Sequence, residues 1–328
     1  MDTMRCLLLP ETDPALNLAT EEWLLRHGTA NVFMLWRNAA AIIVGRNQNT
    51  RAQVNEAYVR AHGIPVVRRL TGGGAVFHDL GNVNFTFIDI DNPSGRLDFA
   101  RYTAPILDAL ASMGVAARFD GRNDLAIDGQ KISGNAQFLH GNRILHHGTL
   151  LFSASITDLS AALLVDPLKY RDKAVKSVAK RVTNISAHLP RPLGVEAFMD
   201  RVMAAVAGQG AVTDTPFTPE ERAQIETLAD IKYRAYDWNF GYSPEYAFSK
   251  SIRTAGGMVE THFDVRQGVI ASLRFYGDFF GTRDVAGLEA RLAGCPHEPE
   301  ALLRRLDQVP LEDFMLGVTA AALVEGFF

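Results

Sequence analysis

Residues 68–82 read Arg-Arg-Leu-Thr-Gly-Gly-Gly-Ala-Val-Phe-His-Asp-Leu-Gly-Asn and form the most informative stretch of the chain. Their first two residues end a predicted β-strand, Ile64–Arg69, so the strand leads directly into the glycines. Three consecutive glycines let a backbone turn tightly and approach a ligand closely. Exposed N–H groups in such a turn can bind an anion, and Arg68 and Arg69 lie beside it. The stretch predicts either a phosphate- or carboxylate-binding loop or a flexible glycine turn beside two surface arginines.

The glycine stretch matches neither of the two common nucleotide-binding motifs. A P-loop requires Gly-Lys-Ser/Thr after its glycines, and a dinucleotide-binding turn requires Gly-x-Gly-x-x-Gly. The residues around it alternate between helical and strand patterns with short connections. We therefore predict an α/β (α+β) domain in which helices pack on a mixed β-sheet.

The predicted elements follow from local signals. Asp13-Pro14 is typical of a helix start, and Gly28 of its end. Asp128-Gly129 between two strand patterns predicts a β-hairpin with a type I′ turn, in which both central residues have positive φ. Further helices are predicted at Asn55–His62, Tyr102–Met113, Val195–Ala207 and Pro219–Lys232. Further strands are predicted at Val32–Trp36, Ala41–Val44, Asp124–Ile127, Gln130–Ile132, Ala136–Leu139 and Ile144–Phe152.

Length and composition limit the classes of protein. The chain has 328 residues with a net charge of −4, and 328 residues exceed the size of one typical core. We predict two domains, 1–243 and 248–328, and place the boundary in the aromatic, turn-rich stretch 236–244. The C-terminal one is predicted to be a small α+β domain. Two cysteines exclude a disulfide framework, and no apolar run reaches membrane-spanning length. The slightly acidic balance argues against a nucleic-acid binder, and the expected location is the cytoplasm.

Lys131 follows the predicted hairpin turn and precedes Ser133-Gly134. A lysine on a strand is commonly solvated. Pointed into a pocket, its ammonium group could neutralise a carboxylate and a phosphate together, which carboxylate activation by ATP requires.

Other polar residues allow more than one interpretation. Asn123-Asp124 could bind Mg²⁺ or a nucleotide, or could simply mark the start of a strand. His146 and His147 are adjacent on a strand and so face opposite sides, which excludes chelation of one metal by both. A metallohydrolase site made of His78, Asp79 and His147 lacks the usual metal-ligand spacing. The basic stretch 169–181 is either a solvated loop or a lid over a nucleotide.

In combination, these blocks resemble one family. Residues 68–82 resemble the signature loop of lipoate–protein ligases. Later blocks match the same family in the same order, at 121–125, 131–134, 146–151, 176–178 and 181–184. Residues 238–241, 257–260 and 262–265 resemble the junction and accessory domain of its long, two-domain members.

The resemblance implies a catalytic fold of the biotin and lipoate ligase type, with a small C-terminal accessory domain. It implies that lipoate and Mg-ATP give lipoyl-AMP and pyrophosphate, and that a lysine ε-amine of an apo lipoyl domain then takes the lipoyl group. The implied acceptors are the E2 subunits of 2-oxoacid dehydrogenases and the glycine-cleavage H protein, and the expected state is a monomer.

The resemblance also implies roles for particular residues. Lys131 would contact the lipoyl carbonyl oxygen and the phosphate, and would be the catalytic residue. The implied ATP and adenylate contacts are Arg69, Gly74, Ala75, Val76, Phe77, Asn123, Asp124, Lys131, Lys176, Val178 and Arg181. The implied lipoate contacts are Trp36, Gly73, Val76, Lys131 and His147, with Phe77 as a further candidate for the apolar slot. Asp124 is the implied ligand of Mg²⁺.

Three rival classes of function remain at this point: an octanoyl- or lipoyltransferase, a biotin ligase and a non-catalytic binder. Acyltransferases of this fold use a nucleophilic cysteine, whereas Cys6 lies outside every motif. A lipoyltransferase that accepts preformed lipoyl-AMP would need no cysteine. A biotin ligase would carry a different phosphate loop, and a non-catalytic binder would use the same loop without turnover. The sequence leaves the choice between lipoate and octanoate open, since one apolar slot suits both.

Overall fold

The computed structural model describes residues 4–46, 50–92, 97–121, 123–156, 182–208, 212–213, 217–241, 246–277, 279 and 283–328. The chain forms two compact units, one from residues 1–48 and 52–235 and the other from residues 49–51 and 236–328. The domain limits 1–243 and 248–328 remain our proposal.

The described residues of the first unit form two sheets. Its strands are β1 (Arg5–Leu8), β2 (Val32–Arg37), β3 (Ala41–Val44), β4 (Val66–Arg68), β5 (Val76–His78), β6 (Asn82–Asp89), β7 (Arg118–Asp120), β8 (Asp124–Ile127), β9 (Gln130–His140), β10 (Arg143–Leu151) and β11 (Val212–Thr213). Eight of them form a mixed sheet in the order β11-β1-β2-β6-β10-β9-β8-β7. The remaining three form a small sheet in the order β4-β3-β5.

The α-helices described before residue 236 are α1 (Pro14–His27), α2 (Thr50–Gln53), α3 (Glu56–Ala61), α4 (Phe99–Ser112), α5 (Val195–Ala207) and α6 (Pro219–Leu228). The side chain of Asp13 accepts a hydrogen bond from the amide of Ala15 and caps α1 as predicted. A π-helical turn, Ala229–Tyr233, continues from α6, and a 3₁₀ turn spans Ile185–His188.

The two faces of the large sheet differ in chemistry. Along β6, Val83, Phe85 and Phe87 belong to an apolar core that includes side chains of α4 and α5. The alternate residues Asn84 and Thr86 are buried on the other face, where Thr86 bonds to Glu21 of α1. Because successive strand residues point to opposite faces, one strand supplies both the core and a polar surface.

One row of directly paired residues crosses this polar face. Trp36 on β2 pairs with Asn84 on β6, and Asn84 pairs with Thr149 on β10. On the next strand pair, Gly148 of β10 pairs with Asn135 of β9, so the following residue Thr149 lies beside Gly134. Gly134 in turn pairs with Asp124 on β8. Neighbouring strands lie about 4.8 Å apart, so the number of strands between two residues of this row gives the approximate distance between them.

Two hydrogen bonds between Ala154 and Asn184 join the chain on either side of residues 157–181, and we call this pair of bonds the clasp. The amide of Ala154 donates to Oδ1 of Asn184, and Nδ2 of Asn184 donates back to the carbonyl oxygen of Ala154, both at 3.0 Å. Beyond the clasp, the amide of Thr183 donates to the carbonyl oxygen of Lys131 at 3.0 Å. The clasp fixes residue 184 beside residue 154 independently of the residues between them.

The second unit is a three-stranded antiparallel sheet with short helices. Its strands are β12 (Tyr246–Thr254), β13 (Gly257–Arg266) and β14 (Val269–Gly277), in that order. Its helices are α7 (Ala286–Leu292), α8 (Pro299–Leu306), α9 (Leu311–Phe314) and α10 (Ala320–Glu325), and a π-helical turn spans Asp237–Gly241. Phe263, Leu273, Leu288 and Leu302 are buried in their common core. Among the residues described above, no helix is long and apolar enough to cross a membrane.

The mixed α/β fold with a small sheet-containing C-terminal region confirms the predicted fold class. The predicted type I′ turn is present, with φ of 48° at Asp128 and 78° at Gly129. The prediction of two separate strands at Gln130–Ile132 and Ala136–Leu139 was wrong, because β9 runs unbroken through both. Ser133-Gly134-Asn135 separates the two predicted strands, but Ser133 and Gly134 pair with β8 and Asn135 pairs with β10.

Candidate active site

A cavity lies on the polar face of the large sheet, beside the glycine loop that joins β4 to β5. It brings together residues from both sheets and from α1. Its lining is Leu18, Trp36, Ile43, Arg69, Gly73, Gly74, Ala75, Val76, His78, Asn84, Asn123, Lys131, Gly134, Asn135, Ala136, His147, Gly148 and Thr149. Most of the predicted site residues therefore meet in one place.

Arg69 holds the glycine loop in shape. Its guanidinium donates to the carbonyl oxygens of Gly72 at 2.6 Å, Gly74 at 2.9 Å and Ile43 at 3.2 Å, and to Oγ1 of Thr71 at 2.9 Å. Four of the five N–H donors of an arginine are thus used within the protein. Burial lowers the Arg69 pKa to about 10, so the group stays charged at neutral pH. The predicted phosphate contact by Arg69 would depend on its one remaining N–H.

A buried chain of hydrogen bonds runs from the loop to the sheet. Oγ1 of Thr71 lies 2.8 Å from Nε2 of His147, and Nδ1 of His147 lies 3.0 Å from Oε1 of Glu21. The hydroxyl of Thr86 donates to the same Glu21 oxygen at 2.6 Å and accepts from Nε1 of Trp36 at 2.9 Å. Because the carboxylate only accepts, Nδ1 of His147 carries a proton and its ring orientation is fixed.

His146 and His147 face opposite sides of β10, as strand alternation requires. His147 lines the cavity, whereas His146 stacks on Tyr102 and Phe85 in the core. Burial, followed by the neighbouring His147, lowers the pKa of His146 to about 3. His146 is therefore a neutral core residue.

Lys131 presents its ammonium group to the cavity. Its Nζ lies 2.8 Å from Oδ1 of Asp124, and its side chain is 40% exposed. A Cβ added to Gly134 would lie 2.8 Å from this Nζ, which shows how closely the ammonium group lies over Gly134. A partly exposed ion pair of this kind is weak, so an anionic ligand can compete with Asp124 for the lysine.

The site fits a magnesium ion only when the ion arrives with a ligand. Within the described ranges, no group of three or more His, Cys, Asp or Glu side chains could hold a metal. Mg²⁺ is commonly bound by one or two carboxylates together with substrate phosphates. Asp124 offers one carboxylate once Lys131 moves away from it, and Nδ2 of Asn123 is bonded to the carbonyl oxygen of Asn135.

Phe77 is a predicted site residue that does not line the cavity. Phe77 points into a small core with Ile42, Val44 and Ile64, so its side chain does not line the apolar slot. Val76 lines the cavity, and because successive residues of a strand point to opposite faces, Phe77 must face away from it. Lys176, Val178 and Arg181 lie outside the described residues, as does the whole basic stretch 169–181.

The metallohydrolase alternative finds no support in the described geometry. Asp79 accepts hydrogen bonds from the amides of Gly81, Asn82 and Ser155 and so organises a turn. His78 bonds to Asn38 instead. Burial, then Arg69 and His147, lowers the pKa of His78 to about 3.

Sequence reasoning missed Glu21, Thr86 and Asn84. The available signal was the alternation of Asn82, Asn84 and Thr86 with the apolar residues of β6, which normally indicates a solvated face. Glu21 is buried within α1, where an ionised carboxylate needs partners, and the helical pattern did not reveal them.

Two family models match the chain. The model described as the lipoyl protein ligase A/B catalytic domain matches residues 13–207, and that of the bacterial lipoate protein ligase C-terminus matches residues 243–327. Lipoate–protein ligase 1 of Staphylococcus aureus is 43% identical over 302 residues, which cover 92% of each chain.

Solved structures agree with this assignment. A bipartite lipoate protein ligase of Thermoplasma acidophilum, described with its E2 lipoyl domain, matches 75% of this chain and 99% of its own, with a TM-score of 0.63 and 28% identity. A lipoate–protein ligase A bound with ATP matches 74% of this chain and 100% of its own, with a TM-score of 0.62 and 25% identity. The resemblance read from residues 68–82 and the later motifs is confirmed: the chain is an enzyme that belongs to the lipoate–protein ligase family.

Proposed function

We propose that this ligase activates lipoate with ATP to form lipoyl-AMP and pyrophosphate, and then transfers the lipoyl group to a lysine of an apo lipoyl domain. The observation that carries the proposal is the position of Lys131, whose ammonium group enters the cavity beside the glycine loop and Asp124. The ATP-bound relative and the relatives named for lipoate support the choice of substrates.

In the first half-reaction, a carboxylate oxygen of lipoate attacks the α-phosphorus of ATP, and pyrophosphate leaves. Both reactants are anionic and repel one another until a cation lies between them. Lys131 supplies that cation by exchanging its weak contact with Asp124 for the carboxylate and phosphate oxygens. The glycine loop, held open by Arg69, offers backbone N–H groups to the phosphate.

In the second half-reaction, a neutral lysine ε-amine of the acceptor attacks the acyl carbonyl carbon. An amide bond forms, the bond to AMP breaks, and the amine loses a proton. As charge grows on the carbonyl oxygen, the ammonium group of Lys131 stabilises it. One positioned cation can thus serve both half-reactions.

We propose that Mg²⁺ reaches the site with the nucleotide, where it would offset charge on the leaving pyrophosphate. Asp124 and, through its side-chain oxygen, Asn123 are the residues that would hold it. Lys131 and Mg²⁺ then have separate roles, because the lysine faces the acyl and α-phosphate oxygens.

A thioester route has no suitable nucleophile. Both cysteines of the chain, Cys6 and Cys295, are buried, and burial raises the pKa of each thiol. A raised pKa lowers the thiolate fraction that such a transferase would need. A transferase that accepts preformed lipoyl-AMP is distinguished by experiment.

The test measures pyrophosphate release from ATP and R-lipoate without any acceptor, in wild type and in Lys131→Ala. We expect release by wild type and a loss of at least about 100-fold in the variant, in line with removal of one electrostatic catalyst. The matched control is Lys250→Ala, which removes a lysine of β12 outside this site.

Two outcomes contradict the proposal in different ways. No release by wild type, with transfer still seen from synthetic lipoyl-AMP, would make the protein a lipoyltransferase. Equal release by wild type and Lys131→Ala would show activation with a different catalytic residue.

We further propose that the acceptors are the lipoyl domains of 2-oxoacid dehydrogenase E2 subunits and the glycine-cleavage H protein. The support is the Thermoplasma relative that is described with its E2 lipoyl domain. Mass spectrometry of apo E2 domain and apo H protein after incubation with the ligase, ATP and lipoate should show one added lipoyl group on each. Unmodified masses for both would exclude these acceptors.

A further inference from the structure

His146 stacks in the core, yet both of its ring nitrogens have hydrogen-bond partners. Nδ1 lies 2.8 Å from Nε2 of Gln137, and Nε2 lies 3.3 Å from Oδ1 of Asn135. Stacking on Tyr102 and Phe85 does not itself require a polar ring. The two polar contacts of this buried histidine therefore indicate a further role.

The carbonyl oxygen of Asp98 fixes the direction of these contacts. Nε2 of Gln137 donates to it at 2.8 Å, and since a carbonyl oxygen only accepts, the orientation of this amide is set. The same amide nitrogen faces Nδ1 of His146, which therefore accepts. A neutral ring that accepts at Nδ1 carries its proton on Nε2. His146 is thus a donor to Oδ1 of Asn135.

The chain of hydrogen bonds continues through Asn135 to Asn123, and we call it the His146 relay. With its oxygen bonded to His146, the amide of Asn135 donates from Nδ2 to the carbonyl oxygen of Asn123 at 3.0 Å. The backbone amide of Asn135 donates to the same oxygen at 2.9 Å. Nδ2 of Asn123 donates back to the carbonyl oxygen of Asn135 at 2.7 Å. Three bonds thus hold Asn123 against β9.

Gly148 leaves the room that the His146 relay needs. It pairs with Asn135 across β10 and β9, and a Cβ added to it would lie 2.2 Å from Oδ1 of Asn135. A larger residue at this position would displace the amide from His146. The absence of a side chain at residue 148 therefore allows the relay to form.

The His146 relay ends at the cavity, beside Lys131. Asn123 lines the cavity, and Oδ1 of the next residue, Asp124, lies 2.8 Å from Nζ of Lys131. Because Nδ2 of Asn123 donates to a carbonyl oxygen, the side-chain oxygen is the atom left for a ligand. Carboxylate and carbonyl oxygens are ligands that suit Mg²⁺, so Asn123 and Asp124 fit an ion that also binds ATP phosphates.

We propose that His146 is a positioning residue: through Asn135 it holds Asn123 and Asp124 in place for the magnesium ion that arrives with ATP. The inference rests on the proposed function, in which Asn123 and Asp124 hold that ion. His146 does not line the cavity, because it lies on the opposite face of β10 from His147. Its removal should weaken magnesium-dependent binding of the nucleotide and spare binding of the acid.

The effect of removing His146 passes through the amide of Asn135. Without the Nε2–H of His146, Oδ1 of Asn135 loses its donor inside the protein, which is costly for a buried acceptor. The amide can find another donor only by turning, and turning brings its oxygen towards the carbonyl oxygen of Asn123. Two acceptors repel one another, so Asn123 and the adjacent Asp124 lose the contact that fixes the start of β8.

The test measures nucleotide binding to the full chain by calorimetry, with the α,β-methylene analogue of ATP so that no adenylate forms. The Kd of this analogue is measured with Mg²⁺ and with EDTA in its place, and the Kd of R-lipoate is measured separately. We expect Mg²⁺ to strengthen binding of the analogue to wild type by about tenfold or more. In His146→Phe, which keeps the stacking, this factor should fall to about threefold or less, while the Kd of R-lipoate stays within about twofold.

Two further variants separate positioning from a loss of stability. Asn135→Ala leaves His146 in place and removes the next member of the relay, so it should lose the magnesium effect as well. His146→Gln returns an amide nitrogen near the position of Nε2 and should restore part of the effect. The matched control is His297→Phe in the second unit, where a buried histidine stacks on Phe328 and bonds to the carbonyl oxygen of Phe327. This control should leave the magnesium effect unchanged.

An unchanged magnesium effect in both His146→Phe and Asn135→Ala would overturn the inference. So would an equal loss of affinity for R-lipoate and for the analogue, with and without Mg²⁺, because that pattern reports a general loss of folding. Pyrophosphate release by wild type tests the proposed function separately. Its absence, together with a magnesium effect that depends on His146, would support this inference and contradict the proposed function.

Discussion

At the scale of single residues, two cations that line the cavity, Arg69 and Lys131, act in different ways. The guanidinium of Arg69 is buried and bonded to loop carbonyl oxygens, so it shapes the glycine loop. The ammonium of Lys131 has a weak, partly exposed contact with Asp124 and can exchange it for a ligand. The two side chains differ in how many of their N–H donors are already hydrogen-bonded within the protein.

The closeness of Gly134 to Lys131 gives a prediction at this scale. An added Cβ would lie 2.8 Å from Nζ and 3.1 Å from Cε of Lys131, so the flexible end of the lysine would move while the backbone stays. Gly134→Ala should therefore lower kcat for pyrophosphate release at least about tenfold, the change that a shift of about 1.4 kcal/mol in the barrier produces. The urea midpoint should change little.

The control for this variant is Gly194→Ala, where the nearest atom to the added Cβ is 4.0 Å away. It should leave kcat unchanged. Full activity of Gly134→Ala would mean that the lysine works from another position.

At the scale of elements, β6 shows what strand periodicity can and cannot predict. The apolar residues Val83, Phe85 and Phe87 alternate along the strand and share the face that packs in the core. The alternate face has the composition of a solvated surface, but α1 and the small sheet cover it and turn it into the cavity. Periodicity states which residues share a face, whereas what covers that face depends on contacts distant in sequence. For the same reason, Glu21 could not be placed beside His147 in advance.

Gly148 gives a prediction for the sheet itself. An added Cβ would lie 2.2 Å from Oδ1 of Asn135 and 2.6 Å from the ring of Phe85, and both atoms belong to packed side chains. Gly148→Ala should lower the free energy of unfolding by about 1–3 kcal/mol, as overpacking does. Urea unfolding followed by circular dichroism measures it, with Gly134→Ala as the stable reference. Equal midpoints for the two variants would contradict the packing argument.

At the scale of the whole molecule, the ordered motifs predicted the family, and the alternation of helical and strand patterns predicted the mixed fold. The limits of strands were harder to predict, as the continuous β9 shows. Pairing of Ser133 and Gly134 with β8, and of Asn135 with β10, keeps this segment extended although glycine and asparagine are unfavourable in strands.

Two buried neutral histidines predict the dependence of stability on pH. His78 and His146 have a pKa of about 3 in the folded protein, well below the usual value of 6.5. Between these values the unfolded chain binds more protons, so stability rises with pH. As pH falls below about 6.5, each histidine should remove up to about 1.4 kcal/mol per pH unit.

Urea unfolding at pH 7, 6 and 5 measures this slope. His146→Phe keeps the aromatic stacking and removes one of the two titrations, so its slope should be smaller than that of wild type even if its stability at pH 7 is lower. If the stability of His146→Phe changed with pH as steeply as that of wild type, groups other than His146 would dominate the pH dependence.

The clasp between Ala154 and Asn184 has a consequence for chain continuity. Phe152 lies before the clasp and Ile185 and Phe198 lie after it, and all three are buried in the core of the large sheet. A protease that cut the chain between residues 157 and 181 would therefore leave two fragments joined by a shared core. We expect the nicked protein to elute as one species from a sizing column and to separate only in denaturant, so the two fragments should also reassemble when produced apart.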